Sequence, residues 1–281
     1  MASKAPSLRP VVFITGASSG IGAAAVDVFA AAGYDVVLGA RRKDKLENVA
    51  KAVAVTRQAV SIVPLVCDVS SDESVQAVFT QIKDRFGRLD VLINNAGFGA
   101  YGEGATLPLD TFRACMETNF FGVVRCTQAA LPLLRKTAAA NSKQRWGAAI
   151  VMVSSFVGRR ALPMMSPYCA SKFALEGLSE SMRVELFDEK ISVSVVNPGV
   201  TQTEFIDASK GERPANFLPP AQGMTSEQVA RVLLQAVRRP RRNRYLTMAG
   251  RVGIFLEWLA PSILDRVLLS TWRKIRKSEH K

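Results

Sequence analysis

The sequence is short of cysteine, and its four thiols do not form a recognised ligand pattern. The spacings of Cys67, Cys115, Cys126 and Cys169 match neither a zinc site nor the dense disulfide framework of a small secreted domain. We therefore expect no metal site and a reducing compartment, of which the cytosol is the simplest choice.

The chain also lacks a long hydrophobic run at its start. Residues 1–10 do not contain the apolar stretch of a signal peptide, and the apolar run that follows has only the length of a strand. Hydrophobic residues make up 48% of the chain and charged residues 22%, which differs from the polar, highly charged composition of disordered chains. We expect a folded cytoplasmic protein with a substantial core.

Acidic residues are scarce at one end of the chain. The formal net charge is +13, and the segment from Arg238 to Lys281 holds twelve basic residues against three acidic ones. Nine of the thirteen net positive charges therefore belong to this segment. No nucleic-acid recognition motif accompanies them, so we expect no nucleic-acid partner.

Short runs rich in Val and Ile alternate with longer segments that carry apolar residues at helical spacing. This alternation is typical of βαβ units. We expect a three-layer α/β/α, Rossmann-like fold with a doubly wound parallel sheet of about seven strands, each buried on both faces. The expected strands are residues 11–15, 35–40, 61–66, 89–94, 148–154, 191–196 and 244–247, and the expected helices are 21–32, 44–56, 72–86, 109–136, 167–188 and 225–238.

These elements divide the chain into three parts. We expect an N-terminal tail at residues 1–8, a single Rossmann-like domain at 9–248 and a basic amphipathic helical extension at 249–281. Inside the domain, residues 137–147 read as a polar loop, and residues 206–223 form a Pro- and Gly-containing stretch that fits neither a strand nor a helix.

The first expected strand runs into a glycine-rich turn that opens a helix. Free backbone N–H groups and the helix dipole suit a pyrophosphate there, and glycines let the backbone approach it closely. The alternative is a tight turn that binds no ligand. The candidate phosphate-binding residues are Gly16, Ser18, Ser19, Gly20, Ile21 and Gly22.

The T-G-x-x-x-G-x-G spacing of this turn resembles that of the short-chain dehydrogenase/reductase family. Other landmarks occur in the family's order. Asp68, with Val69 after it, resembles the residue beside the adenine, and Asn94-Asn95-Ala96-Gly97 resembles the N-N-A-G that lines the cofactor and steadies the central sheet. The resemblance covers about residues 9 to 248, and it implies a nicotinamide dinucleotide cofactor and an oxidoreductase.

The end of the second strand indicates which dinucleotide is bound. An acidic residue there would bind a ribose 2′-OH and repel a 2′-phosphate. The strand ends instead in Ala40-Arg41-Arg42, and guanidinium groups bind phosphate well. We therefore expect NADP(H), with Ser18 as a further phosphate ligand; the alternative is that the arginines only begin a solvated helix.

Tyr168 and Lys172 are one helical turn apart and therefore share a helix face. A free phenol has a pKa near ~10, so a neighbouring cation is needed to make it a proton carrier near neutral pH. Ser155, at the end of the fifth strand, can hydrogen-bond to the same substrate oxygen. A buried tyrosine beside a snorkelling lysine is the alternative for this pair alone.

These residues are similar to the family's Ser–Tyr–Lys set, which an Asn completes, here Asn119. The resemblance implies that Asn119 helps to hold a water that links Lys172 to solvent, and that Lys172 also binds the nicotinamide ribose. After the sixth strand, Asn197-Pro198-Gly199-Val200-Thr201-Gln202-Thr203 resembles the family's P-G turn. The resemblance implies that Pro198, Gly199, Val200 and Thr203 contact the nicotinamide.

The family's substrate pocket lies above Ser155 and Tyr168, next to the segment from Phe205 to Met224. Apolar side chains from this segment and from the stretch before Tyr168 predict a hydrophobic substrate, and packing explains the same residues equally well. The candidate pocket residues are Phe205, Ile206, Phe217, Leu218, Phe156, Arg159, Leu162, Met164 and Met165.

The extension at 249–281 mixes large apolar residues with arginine and lysine. Its apolar runs fall short of the ~20 residues of a membrane-spanning helix. A basic amphipathic helix can nevertheless lie on an anionic membrane surface, which would make a peripheral membrane contact. The alternative, which we favour from the sequence, is that the apolar face packs on the domain, over the substrate entrance or in a subunit contact.

The resemblance implies an NADP(H)-dependent enzyme that passes hydride between nicotinamide and a small-molecule carbonyl or secondary alcohol, with Tyr168 as the proton carrier. It also implies a homodimer or homotetramer. A second possibility is a catalytically idle protein that binds NADP(H) as a sensor or scaffold. The complete set of Ser155, Tyr168, Lys172 and Asn119 favours the enzyme.

Overall fold

The computed structural model describes residues 9–205, 209–211 and 223–279. Seven strands form its main sheet, namely β1 (Val11–Thr15), β2 (Asp35–Ala40), β3 (Ile62–Val66), β4 (Val91–Asn94), β5 (Ala148–Val153), β6 (Ile191–Asn197) and β9 (Asn243–Tyr245), with β7 (Thr201–Gln202) and β8 (Met224–Thr225) as a separate parallel pair. The seven strands are all parallel, in the order β3-β2-β1-β4-β5-β6-β9. The predicted fold class is confirmed.

Helices cover both faces of the sheet, because each carries one apolar stripe that must be buried. The helices are α1 (Gly20–Ala31), α2 (Lys43–Thr56), α3 (Asp72–Phe86), α4 (Leu109–Met116), α5 (Gly122–Ala140), α6 (Ser166–Glu185), α7 (Ser226–Arg238), α8 (Met248–Leu259) and α9 (Pro261–Glu279). One core lies between the sheet and α1, α2 and α7, and a second lies between the sheet and α3, α5 and α6.

The expectation that every strand is buried on both faces is wrong for the two edges of the sheet. β1, β2, β4, β5 and β6 are buried throughout, whereas the edge strands β3 and β9 are mostly half-buried. An edge strand has a neighbour on one side only, so its margin meets solvent. Val66 at the end of β3 is exposed for this reason.

The expected single helix at 109–136 is also wrong in detail. A π-helical turn at Glu117–Phe121 separates α4 from α5, and α5 continues to Ala140. The expected loop at 137–147 therefore begins later than its polar composition suggests. The side chain of Thr137 is buried and accepts a hydrogen bond from the Leu89 N–H at 3.2 Å, and the alanines that follow favour helix.

The strand order places the functional site. β1 pairs with β2 on one side and with β4 on the other, so the connections that leave β1 and β4 run to opposite faces of the sheet. In an open parallel sheet this reversal creates a crevice at the carboxyl ends of the strands. The predicted glycine turn after β1 and the Asn95 loop after β4 border that crevice.

Candidate active site

A cleft of about 540 Å³ lies at the carboxyl ends of β1 to β4. The turn after β1, the end of β2 and the loops after β3 and β4 form its walls. Of the predicted cofactor-binding residues, those that line it are Gly16, Ser18, Ser19, Gly20, Ile21, Arg41, Arg42, Asp68, Val69, Asn95, Ala96, Gly97 and Thr203.

The glycine turn is shaped so that side chains are excluded from it. Gly16 has φ +66°, and a Cβ there would lie 2.8 Å from the Cα of Ala96. A Cβ at Gly22 would lie 2.3 Å from the Gly16 carbonyl oxygen, so Gly22 serves the packing of α1 against the turn and does not line the cleft. The Ser19 side chain does not cap α1. The turn therefore fits a pyrophosphate at a helix N-terminus.

Hydrogen bonds hold the two walls of the crevice together. The Thr15 hydroxyl accepts from the backbone N–H groups of Asn95 and Ala96, both at 3.0 Å. The Asn95 amide donates in return to the carbonyl oxygens of Thr15 at 3.0 Å and Gly16 at 3.2 Å. This arrangement fixes the glycine turn relative to the loop after β4.

Arg42 reaches from the end of β2 into the glycine turn. Its guanidinium donates to the hydroxyls of Ser18 at 3.2 Å and Ser19 at 3.0 Å, and it pairs with Glu204 at 3.2 Å. Lys45 also binds Glu204, at 3.0 Å. The hydrogen bond from Lys45 holds the pKa of the Glu204 carboxyl below its usual range.

Sequence reasoning missed both Lys45 and Glu204. Glu204 is 162 residues from Arg42 in the chain, and no periodicity joins the two segments. Lys45 is placed by the first turn of α2, which points it at the same carboxylate. Lys45 could have been found by counting the cations that follow β2, whereas nothing in the sequence indicates that Glu204 belongs to the site.

Asp68 follows β3 at the adenine end of the cleft. Its carboxylate accepts from the backbone N–H of Ser70 at 2.9 Å and from the Ser70 hydroxyl at 2.6 Å. Burial acts to raise the pKa of Asp68, but the Ser70 hydrogen bonds and the nearby Arg41 hold it below the usual value. Asp68 is therefore a charged acceptor at neutral pH.

A second cavity, of about 220 Å³, adjoins the cleft. Ile21, Asn95, Gly97, Thr203 and Phe205 line both spaces, so the two are continuous. Among the other predicted site residues, those that line this second cavity are Ser155, Tyr168, Lys172, Pro198, Gly199 and Val200. The apolar side chains of Tyr101, Phe156, Val157, Leu162 and Met165 line it as well.

Tyr168 and Lys172 are both buried on the same face of α6. The Lys172 Nζ lies 5.7 Å from the centroid of the Tyr168 ring and donates to the Val153 carbonyl oxygen at 2.9 Å. Burial lowers the pKa of Lys172 to about 8. Burial also raises the pKa of Tyr168, and a hydrogen bond with Ser155 acts in the opposite direction. In this structure burial outweighs the expected effect of the lysine on the phenol.

Asn119 is brought into the site by the π-helical turn. Such turns occur often at functional sites, because the extra residue redirects one side chain. Asn119 is buried; its Oδ1 accepts from the Phe98 N–H, and its Nδ2 donates to the Phe98 carbonyl and the Ser171 hydroxyl, all at 3.0 Å. A Cβ at Gly97 would lie 2.9 Å from Asn119 Oδ1 and 3.7 Å from Lys172 Nζ. Gly97 thus lets both groups come close.

Some residues that the sequence assigned to the substrate pocket lie elsewhere. Arg159 turns away from the cavity and pairs with Glu176 at 3.0 Å and Glu180 at 2.5 Å. Met164 is buried beside the cavity but does not line it. Ile206, Phe217 and Leu218 lie outside the described residues.

The C-terminal helix α9 packs against the apolar cluster beside the cavity. Trp272 of α9 packs with Phe156, Leu162 and Phe205 on the cluster that contains Tyr168. Arg160 holds α8 and α9 to the domain through ion pairs with Glu257 and Asp265, both at 2.6 Å.

A family model described as short chain dehydrogenase matches residues 10–213, which is more than half of the chain. The chain belongs to the short-chain dehydrogenase/reductase family. The predicted family is thereby confirmed, and the protein is an oxidoreductase of that family. A nicotinamide nucleotide is the cofactor that its relatives and its cleft support.

Individual relatives agree with this assignment. The chain is 33% identical to Dehydrogenase/reductase SDR family member 7B of Mus musculus over 99% of this chain and 85% of that one. A short-chain dehydrogenase from Sphingobium yanoikuyae, solved in complex with NADPH, is 27% identical with a TM-score of 0.74 and covers 93% of this chain and 95% of its own. A Burkholderia phymatum member, solved with NAD, shares the fold at 23% identity and a TM-score of 0.79, covering 91% and 95%.

Proposed function

We propose that this dehydrogenase/reductase is an NADP(H)-dependent carbonyl reductase or secondary-alcohol dehydrogenase that acts on a hydrophobic substrate. One observation carries the proposal: Ser155, Tyr168 and Lys172 line an apolar cavity that is continuous with the dinucleotide cleft. When bound, the nicotinamide would supply hydride to a carbonyl carbon or accept it from an alcohol.

The side chains of the cavity have distinct tasks in this proposal. The Tyr168 hydroxyl donates a proton to the substrate oxygen in reduction and accepts one in oxidation. Ser155 hydrogen-bonds to the same oxygen as negative charge develops on it. Lys172, one turn from Tyr168 on α6, supplies a positive charge that favours the phenolate. Asn119 hydrogen-bonds to the backbone N–H and carbonyl of Phe98 and so fixes the loop after β4 against the π-helical turn.

The preference for NADP(H) over NAD(H) rests on the end of β2. Ala40 stands where an acid would repel a 2′-phosphate, and Arg41 and Arg42 line the cleft. Arg42 already binds the hydroxyls of Ser18 and Ser19, so it is preoriented toward the glycine turn. Charge-assisted hydrogen bonds of this kind contribute about 1.5–3 kcal/mol each.

Titration of the protein with NADPH and with NADH tests this preference. We expect NADPH to bind at least about tenfold more tightly, and Arg41→Asp and Arg42→Asp each to remove most of that difference. Arg231→Asp, on the exposed surface of α7, is the matched control and should change neither affinity. Equal affinities for the two nucleotides, or an Arg41→Asp variant with unchanged NADPH affinity, would contradict the preference.

The substrate class follows from the lining of the smaller cavity. Phe156, Leu162, Met165 and Phe205 provide its apolar walls, and such walls favour hydrophobic ligands. NADPH oxidation should be measured with a panel of ketones, aldehydes and β-ketoacyl thioesters that differ in apolar bulk. We expect kcat/KM to rise with apolar size. Tight NADPH binding without oxidation on any member of the panel would favour the sensor or scaffold alternative.

Assembly into a cytoplasmic homodimer or homotetramer completes the proposal. Phe121, Phe173 and Val184 are exposed on the outer surface of the α5 and α6 region, and exposed apolar side chains of this size are typical of interfaces. Light scattering should give a mass that is a multiple of the 30.5 kDa chain, and Phe173→Glu should lower it. A wild-type monomer at micromolar concentration would contradict the assembly.

A further inference from the structure

The C-terminal helix α8 presents small and polar residues to the domain and large apolar side chains to solvent. α8 turns Gly250, Gly253 and Glu257 toward the domain, where both glycines approach the ring of Phe156 and Glu257 pairs with Arg160. Its large apolar side chains point outward instead: Phe255 is 58% exposed, Trp258 79% and Leu259 61%. An amphipathic helix normally buries its apolar stripe.

The exposed apolar side chains continue from α8 onto α9. Apart from the adjacent Trp258 and Leu259, they follow one another at intervals of three or four residues, which keeps them on one side of each helix. We name this set the outer stripe, which consists of Met248, Val252, Phe255, Trp258, Leu259, Ile263 and Val267, all exposed. A contiguous apolar surface of this kind on a soluble protein marks an interaction site.

Positive charge lies beside the outer stripe. Arg266, Arg273 and Lys274 of α9 are exposed, whereas Glu257 and Asp265, the carboxylates of these helices whose side chains are described, are both taken up by Arg160 on the inner side. Arg160 is only 14% exposed in its side chain. Arg160 carries one positive charge against these two carboxylates, so the negative charge of the helix pair lies at its inner contact and the outer side is apolar and cationic.

We propose that the outer stripe docks on an anionic lipid bilayer, with α8 and α9 lying in the plane of the interface. An anionic bilayer offers the two complements that this surface needs, an apolar interior for Phe255, Trp258 and Leu259 and negative headgroups for the cations. Tryptophan is favoured at the level of the headgroups. Among the described residues no helix is long and apolar enough to cross a membrane, so the contact lies at the surface.

A second copy of the chain is a poorer occupant. A two-fold contact would pair the same surface of both copies, so the α9 cations of both copies would lie at one interface. The two carboxylates of these helices whose side chains are described, Glu257 and Asp265, are already paired with Arg160 and so do not compensate those cations. The exposed phenylalanines of the α5 and α6 region offer a separate surface for assembly.

Co-sedimentation with vesicles tests the proposal on the full-length protein. The probes are vesicles of phosphatidylcholine with 30% phosphatidylglycerol, and vesicles of phosphatidylcholine alone. We expect binding to the anionic vesicles that weakens with salt, and at most weak binding to the neutral ones. A blue shift of tryptophan emission on binding should be smaller in Trp258→Phe.

Two variants separate the apolar and the ionic contributions. The double variant Phe255→Ser, Trp258→Ser and the double variant Arg266→Glu, Arg273→Glu should each lower the partition coefficient by about tenfold or more. Val55→Ser, which removes an exposed apolar side chain from α2, is the matched control and should bind like the wild type. Circular dichroism checks that each variant remains folded.

Other outcomes would overturn the proposal. Negligible wild-type sedimentation with anionic vesicles would reject the membrane contact, and so would equal binding of the Phe255→Ser, Trp258→Ser variant. If that variant instead lowers the mass seen by light scattering, the outer stripe is a contact between copies. Vesicle binding does not require turnover, so this result is independent of the proposed oxidoreductase activity.

Discussion

Replacement of Lys172 by Met should make the nucleotide-free protein more stable at neutral pH while abolishing its activity. Lys172 is buried, and burial lowers its pKa from 10.5 to about 8. Below pH 8 the folded protein therefore carries an ammonium group that would be better solvated in the unfolded chain. At pH 7 this costs about 3 kcal/mol of stability.

The magnitude depends on pH in a defined direction. Between pH 8 and 10.5 the unfolded chain still binds the proton that the folded protein has released, so wild-type stability rises with pH through this window. The destabilisation that Lys172 causes should therefore decrease by about 2.5 kcal/mol between pH 7 and pH 10. Loss of the hydrogen bond to the Val153 carbonyl offsets about 1 kcal/mol of the gain in the variant at every pH.

Urea unfolding of wild type and Lys172→Met at pH 7, 8, 9 and 10 measures this difference. We expect the variant to be about 2 kcal/mol more stable at pH 7 and to lose that advantage by pH 10. Lys51→Met, at an exposed position of α2, is the control and should change stability by less than about 0.5 kcal/mol. A difference between wild type and variant that stays constant from pH 7 to 10 would refute the reasoning, because Lys172 would then have an ordinary pKa.

Three further perturbations test separate parts of the structure. Asn95→Ala removes two hydrogen bonds to the turn after β1, so it should lower the free energy of unfolding by about 1–2 kcal/mol and weaken nucleotide binding. Thermal unfolding with and without NADPH measures both effects. Unchanged stability and unchanged NADPH binding would show that these two hydrogen bonds are dispensable. Arg160→Gln should release α8 and α9 from the domain, so that amide hydrogen exchange becomes faster in residues 248–279 but not in β1 to β6. An equal change in exchange rate in both regions would show that the Arg160 ion pairs do not hold these helices in place. Burial lowers the pKa of Lys172, and the negative charge of Glu176 opposes this effect. Glu176→Gln should therefore move the alkaline limb of the pH profile of kcat/KM to lower pH. An unmoved limb would show that the Glu176 charge does not influence Lys172.

The sheet and most of its helices could be predicted because their signals are local. β1 and β5 are almost continuous apolar runs of strand length. The sequence also marks both ends of α3, because Ser71 caps it through the Ser74 N–H and Gly87 ends it with φ +66°. The order of the motifs then placed Gly16, Asn95 and Tyr168 at one crevice. Each of these inferences needs only neighbouring residues and the rules of parallel sheets.

The features that escaped prediction depend on contacts between distant segments. The π-helical turn around Asn119 leaves the apolar periodicity of 109–136 almost intact, so the pattern indicates one continuous helix. Arg159 was assigned to the pocket from its position before Tyr168, but the buried Glu176 draws it to the opposite side. The pairing of Arg42 with Glu204 requires the fold to be known first.

The C-terminal extension shows a different limit. Its composition predicts an amphipathic helix, but composition does not state which face meets the domain. Gly250 and Gly253 allow the close approach to Phe156, and Arg160 accepts the two inward carboxylates. The apolar face is consequently left outside, which the spacing of residues alone could not reveal.

The most direct test of the account is Tyr168→Phe, which removes one hydroxyl from the cavity and leaves the ring. Turnover with the best carbonyl substrate of the panel and the dissociation constant of NADPH should be measured on the same preparation. The account predicts that turnover falls by at least about 100-fold while NADPH affinity changes by less than about threefold. Wild-type turnover in this variant would contradict the role of Tyr168 as the proton carrier.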